Sequence, residues 1–580
     1  MKRRFYRLIL ATGVVYTALS LSSNIAYLTV TQRFLANDFG WVDFNSSGTH
    51  SYLANTINKL LLTTNNQDVE LTSPSLADIS RLYNTTNSPI VWSFTSPRRQ
   101  LFDNSIPLVQ IIQGVRDMHP CNLPWMFTQY CWVDFNQAWV MARTTKRERR
   151  CQTTMYWNGA VYMESGLRNI ADWDAWDTCW GTAFDIGIAN YLSTTQQGRL
   201  WLTSLQQPHL SLVDEATWWQ SFKITNFELQ WQNYKTMGFS DQFDIKSALG
   251  YASPMTLSKS VPSYRLMQQT SFCMYWSLAN DLWAISSNTT LIGGKSLISA
   301  SPNFAFANVS GEALLLQNLT LVSPMRSGLI AVENALGPFN AVDMKYVLCP
   351  QELLVLYSVF TSRLSALLVE NPDAQVDFFA LPPWPYIAPV PSLLMDNSDY
   401  VNLVGGNIMC GDDNTAYPPQ YGLYRGFGAS NICHANFVDS MMPTSEHLLF
   451  AFFGFNASHE LRATDITSLC YLDANASDPC PTTYTSLYNF IAVHNNTFND
   501  LVSNANRVQD IISQLHINVL QFVTYGTNTS IEIYLINLLD AFDRPWNFYG
   551  WCYIYEWAIG NREVVSFTGD ENAISIISAS

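Results

Sequence analysis

Residues 1–7, Met1-Lys2-Arg3-Arg4-Phe5-Tyr6-Arg7, run directly into LILATGVVYTALSLSSNIAYLTV, residues 8–30, a stretch without a charged side chain. As a helix rising about 1.5 Å per residue, that stretch spans a hydrocarbon core of about 30 Å. The four cations before it, and none until Arg33, orient the N-terminus toward the cytoplasm and send the rest of the chain outward. Ser20, Ser22, Ser23 and Asn24 weaken its second half. A cleaved signal peptide ending near them is therefore the rival to an uncleaved signal anchor. The expected location is the cell surface or a secretory-pathway membrane, with the C-terminal part extracellular or lumenal.

Composition fits that compartment. The 580 residues are 48 % hydrophobic and 14 % aromatic, which describes a folded chain. Only 13 % are charged, about half the usual share, so the surface relies on Ser, Thr, Asn and Gln. A net charge of −15 argues against nucleic acid as a partner, because phosphate binding needs a basic face. Eleven cysteines include no C-x-x-C pair, which removes the zinc-ribbon and thioredoxin readings and leaves disulfides. Short loops predict Cys121–Cys131 and Cys470–Cys480, followed by Cys410–Cys433 and Cys151–Cys179. Closing a loop of about 15 residues contributes roughly 3 kcal/mol in the chain-entropy description. Glycosylation sequons stand at Asn45, Asn84, Asn288, Asn308, Asn318, Asn456, Asn475, Asn495 and Asn528.

The coarse expectation is an α+β ectodomain, mixed helices with antiparallel sheet, behind one N-terminal transmembrane helix. It divides into a tail and anchor (1–34), a Trp/Cys-rich part (35–285), a Ser/Asn/Gly-rich insertion or boundary (286–345) and a second α+β part (346–580). Pro89–Phe94 reads as a buried strand, and Leu101–Val115 as a helix. Asn158-Gly159 between β-forming flanks predicts a two-residue hairpin over 154–163. Ile170, Trp173, Trp176 and Trp180 recur at helical spacing, with Asp172, Asp174 and Asp177 off that stripe. Phe227, Leu229 and Trp231 alternate with polar residues as a half-buried strand, with Phe243–Met255 as its partner. A helix is expected over 262–285, another from Gln351 to the stop at Asn371-Pro372, and one over 483–515. Strands follow near 518–525 and 530–538, and the aromatic 548–577 reads as β-rich.

Chemical motifs are sparse. Asp172-Trp173-Asp174 is a D-x-D, the pattern by which lumenal glycosyltransferases hold a divalent ion against a sugar nucleotide. Here it lies on an amphipathic helix, where solvent-facing carboxylates opposite a Trp stripe are the simpler reading. His459-Glu460 opens an H-E-x-x-H that Ala463 breaks, and no nucleophile elbow or phosphate loop occurs. No catalytic, cofactor or metal residue is assigned. Lys146-Arg147-Glu148-Arg149-Arg150 is the densest charge run, and Arg147 to Arg150 fits the R-x-[K/R]-R read by furin-type proteases. Arg147, Arg149 and Arg150 thus mark a possible processing site, against a solvated helix end. Cutting requires that run to be exposed and extended.

Gly405-Gly406-Asn407-Ile408-Met409-Cys410, Trp546–Trp557 and Arg562–Phe567 resemble segments of large membrane-anchored ectodomain families of oomycetes, the water moulds. The resemblance implies an anchored extracellular domain, often followed by further membrane helices, from which this chain departs by ending at Ser580. It carries no catalytic residues to transfer. The expected function is a membrane-anchored glycoprotein whose ectodomain binds a protein or carbohydrate ligand, as a receptor, sensor or adhesion module. A lumenal carbohydrate-active enzyme, glycosyltransferase or glycosidase, is the alternative.

Overall fold

The computed structural model describes residues 2–35, 106–231, 277–395, 441–473 and 480–579, apart from short gaps. It also describes strands between 234 and 265, residues 401–403 and 408, and single positions between 52 and 73. The expected strand at Pro89–Phe94 lies outside these residues, as do Asn45, Asn84, Cys410, Cys433, Asn475 and Asn528.

The principal helices, in order, are α1 (Lys2–Leu35), α2 (Leu108–Arg116), α3 (Thr145–Arg150), α4 (Leu212–Ser221), α5 (Leu278–Ser286), α6 (Gln351–Glu370), α7 (Ser445–Ser458), α8 (Cys480–Val493), α9 (Val502–Leu515) and α10 (Arg544–Ile559). The strands are β1 (Tyr234–Met237), β2 (Ser240–Lys246), β3 (Ala252–Lys259), β4 (Pro262–Arg265), β5 (Asp343–Val347), β6 (Val401–Leu403), β7 (Ile517–Tyr525), β8 (Glu532–Asn537), β9 (Arg562–Thr568) and β10 (Ala573–Ala579). Two compact units result. One comprises residues 1–58, 78–92 and 239–260, and the other 59–77, 93–238 and 261–580.

In the first unit, α1 carries an apolar window over Arg3–Thr31 that is long enough to cross a bilayer and has none of its residues buried. The same unit holds the β2–β3 hairpin, whose register sets Phe243 opposite Met255. That pairing replaces the expected one with 227–231, because the two halves of 240–259 are close enough in sequence to satisfy each other's backbone groups. In the second unit, α6 is also long and apolar enough to cross a membrane, but half of it is buried.

The larger unit is mixed helix and sheet. Its main sheet runs β5-β9-β10-β7-β6, with β8 beside β7. Purely antiparallel pairing was expected. Instead β7 and β10 pair in parallel, Ser575 beside Ile517 and Ile576 beside Asn518. The connection between them contains β8, α10 and β9, long enough for the crossover that parallel strands require. At its heart lies α10, capped by Asp543, whose side chain accepts from Trp546 N, and closed by Gly560 at φ 79°. Every residue from Trp546 to Ala558 is buried. The expectation of β structure there fails because a helix covered on all sides has no polar face to give its period away. Helix α7 meets α10 through Gly454, where a Cβ would stand 2.4 Å from the Trp551 ring. Phe452 packs 4.6 Å from Phe548 between ring centres.

The Trp/Cys-rich part folds differently from its local signals. Asn158 sits at φ −97°, ψ 111° and opens a 3-10 turn over Gly159–Val161. Its Oδ1 accepts from Ala160 N at 2.9 Å and Glu228 N at 2.8 Å, and its Nδ2 donates to Glu228 O at 2.8 Å. The predicted hairpin is absent because the Asn amide is spent docking 226–228, and Gly159 is pressed against Phe227 and Trp219. Phe227, Leu229 and Trp231 are buried as expected, although 227–231 forms no regular strand. The helical run 173–192 keeps the predicted stripe. Trp176 is buried, Trp173 and Trp180 half-buried, and Asp172, Asp174 and Asp177 exposed. The helix expected over 262–285 is instead β4 followed by α5, and that expected over 483–515 is α8 and α9 separated by 3-10 turns.

Candidate functional site

The basic run is heavily engaged in the larger unit. Thr144 caps α3 by accepting from Arg147 N at 3.0 Å, which starts the helix where the sequence pattern offered only a charge cluster. Arg147 is 1 % exposed. Its guanidinium pairs with Asp343 on β5 and donates to Gln129 O at 2.7 Å, while Asp343 also accepts from Gln230 Nε2 at 3.2 Å. Arg150 reaches the same carboxylate with its Nε at 3.6 Å, pairs with Asp570, and donates to the carbonyls of Gly569 and Ala341. Lys146 meets Glu571 at 2.7 Å on the surface, and Arg149 is exposed. Beside this group the buried Arg143 pairs with Asp281, which also accepts a hydrogen bond from the Tyr130 hydroxyl, and stacks 4.8 Å from the Phe306 ring centre.

The processing reading is thereby corrected. Arg147 and Arg150 hold α3 to β5 and to the β9–β10 turn, and a protease groove cannot read a packed helix. Their partners Asp343 and Asp570 lie 196 and 420 residues away in sequence, as Asp281 lies 138 from Arg143, so no local signal could have named them.

A second set of buried acids sits nearby. Glu164 accepts from Phe135 N at 2.8 Å and Trp201 Nε1 at 3.0 Å. Burial, opposed by those two donors, raises its pKa above the ordinary carboxylate range. Asp134 is likewise raised by burial, and accepts from Trp139 N at 3.1 Å and Ala138 N at 3.2 Å to close a turn. Glu215 takes Arg168 in a fork, at 3.1 and 3.0 Å. These acids are occupied with holding the fold. Asp172 of the D-x-D is spent capping the helix that follows, accepting from Ala175 N at 2.9 Å. Among the described residues no group of three or more His, Cys, Asp or Glu is placed to hold a metal ion.

Among the described residues the disulfides are Cys121–Cys179, Cys131–Cys151 and Cys470–Cys480. The last is the short loop expected. The expected Cys121–Cys131 and Cys151–Cys179 are replaced by bridges closing 58 and 20 residues, worth about 4 and 3 kcal/mol in the chain-entropy description. Cys131 is held in the core by its N–H to Val161 O at 2.8 Å and faces the end of α3. Cys121, half exposed on the 3-10 helix Pro120–Trp125, lies beside the 173–192 run. Of the sequon asparagines, Asn288, Asn308 and Asn495 are exposed, while Asn318 and Asn456 are half-buried. The Asn318 amide nitrogen, the atom a glycan would occupy, is covered.

No family model, no curated protein and no solved structure matches this chain.

Proposed function

We propose that this chain is a membrane-anchored glycoprotein whose larger unit stands outside the cytoplasm and acts by binding a protein or carbohydrate, in the manner of a receptor, sensor or adhesion module. One observation carries the reading. Behind a basic leader, the uncharged residues 8–30 form a helix whose apolar surface none of the described residues buries, and a bilayer supplies the partner such a surface needs. The three disulfides among the described residues, two of them in the Trp-rich part, suit an oxidising compartment. Exposed aromatics such as Trp283 (59 %) and Trp218 (41 %) offer contact surface for a partner, since such rings combine apolar area with a polar edge. The buried acids, by contrast, are tied to arginines, indole N–H groups and turns, which leaves binding favoured over catalysis.

The test is alkaline carbonate extraction of membranes from cells expressing the full chain with an N-terminal tag, combined with surface biotinylation. Expected is a tagged, full-length chain that stays in the membrane pellet and is labelled from outside. A chain released by carbonate, or one that has lost its N-terminal tag, contradicts the anchored reading.

A further inference from the structure

Five hydroxyl side chains along α1 satisfy themselves. Thr12, Thr17, Ser22, Thr29 and Thr31 donate to the carbonyls of Leu8, Gly13, Ala18, Ile25 and Tyr27, each at 2.8 or 2.9 Å. This back-bonding to the preceding turn lets a hydroxyl sit in lipid at little cost. Ser20, Ser23 and Asn24 make no such bond, and the most polar of the three is Asn24. Its amide carries two donors and an acceptor oxygen, and has no partner among the described residues.

Its depth makes that costly. The centre of residues 8–30 is Leu19, so Asn24 lies about 7.5 Å beyond the midplane of a core about 30 Å thick. The nearer boundary is about as far again. Helical side chains lean toward the N-terminus, which aims the Asn24 amide back toward the midplane and away from outer water. A short side chain so directed cannot snorkel, and an unsatisfied amide in hydrocarbon is expensive.

Asn24 also lies on a definite face. At about 100° per residue, Gly13, Thr17, Ser20 and Asn24 fall within an arc of about 60°, and Tyr27 and Thr31 continue the spacing of four and three. Small residues on that seam let a second backbone approach closely, while Leu8, Val14, Val15, Leu19, Leu21 and Ile25 stay on the rest of the surface.

We infer that α1 pairs in the membrane with α1 of a second copy of this chain, in parallel, through Gly13, Thr17, Ser20 and Asn24. The occupant follows from the chemistry. A second copy carries the same amide at the same depth and in the same orientation. Two asparagine amides facing each other across a two-fold axis each donate to the other's oxygen. One asparagine in such a seam also sets register.

The inference rests on α1 remaining as an anchor, so the test separates the two. The full chain with an N-terminal tag, bearing Ser20→Cys on the seam or Leu19→Cys on the opposite side, is oxidised in native membranes and run without reductant. Expected is a reducible dimer for Ser20→Cys well above that for Leu19→Cys and wild type. Adding Asn24→Leu, which favours insertion, is expected to cut that dimer roughly fivefold or more, while Asn24→Gln retains it. A retained tag with equal cross-linking at both positions, with no cross-linking, or with no effect of Asn24→Leu overturns the pairing alone. Pairing through a different protein's helix falls among these, as loss of the homodimer band. Loss of the tag overturns the anchor and the pairing together.

Discussion

His447 illustrates how far single residues are committed to the core. Its ring lies 4.4 Å from that of Tyr555, stacked, and its Nε2 is 2.9 Å from Cys552 O, so that nitrogen donates as N–H. Burial lowers its pKa to about 3 from 6.5, against the raising effect of that carbonyl. The unfolded chain therefore binds a proton that the folded chain refuses. The stabilising contribution is complete above about pH 6.5 and declines by roughly 1.4 kcal/mol per pH unit as pH falls from there toward 3. Denaturant midpoints of the full chain are expected to fall over that window, with a shallower slope for His447→Gln; identical slopes would remove the assignment. The arginines of the basic run give a second comparison. Asp343→Asn leaves a buried guanidinium without its counter-charge and is expected to cost about 3–5 kcal/mol. Arg149→Ala, at an exposed position, is expected to stay within about 0.5 kcal/mol. Equal effects of the two in equilibrium unfolding would contradict the described burial.

Elements pack here at the expense of local preference. Gly550, inside α10, faces the Leu538 carbonyl, where a Cβ would lie 1.9 Å from the oxygen, and Gly454 faces the Trp551 ring. Alanine gains about 1 kcal/mol of helix propensity over glycine, yet overpacking costs about 1–3 kcal/mol. Gly550→Ala is therefore expected to lower thermal stability, and a raised melting temperature would refute the close approach. The same contest explains what the sequence made legible. Signals that act within a few residues read correctly: the α6 stop at Asn371-Pro372, the Trp stripe of 173–192, strands β7 and β8, and the Cys470–Cys480 loop. Signals overruled by distant partners did not. Asn158-Gly159 has turn chemistry but is claimed by Glu228, and 546–557 has strand-forming aromatics but is wrapped on every side. Asp343 and Asp570 carry no local mark at all, so the basic run resembled a protease site until its partners were placed around it.

For the molecule as a whole, exposure ranks the glycosylation sequons. Asn288, Asn308 and Asn495 are expected to carry glycans and Asn318 none, because its amide nitrogen is covered. Glycopeptide mapping that finds Asn318 occupied would show that this region opens before or during modification. Peptide mapping without reduction should likewise recover Cys121–Cys179 joined and Cys131–Cys151 joined, with the half-exposed first bridge reduced earlier than the fully buried second. Both rest on the claim that the basic leader holds α1 with its N-terminus in the cytoplasm and the remainder outside. Protease protection on sealed cells bearing one tag before Met1 and another after Ser580 tests it directly. The account predicts that added protease removes the C-terminal tag and spares the N-terminal one until detergent is added. The reverse pattern, or protection of both tags, would contradict it.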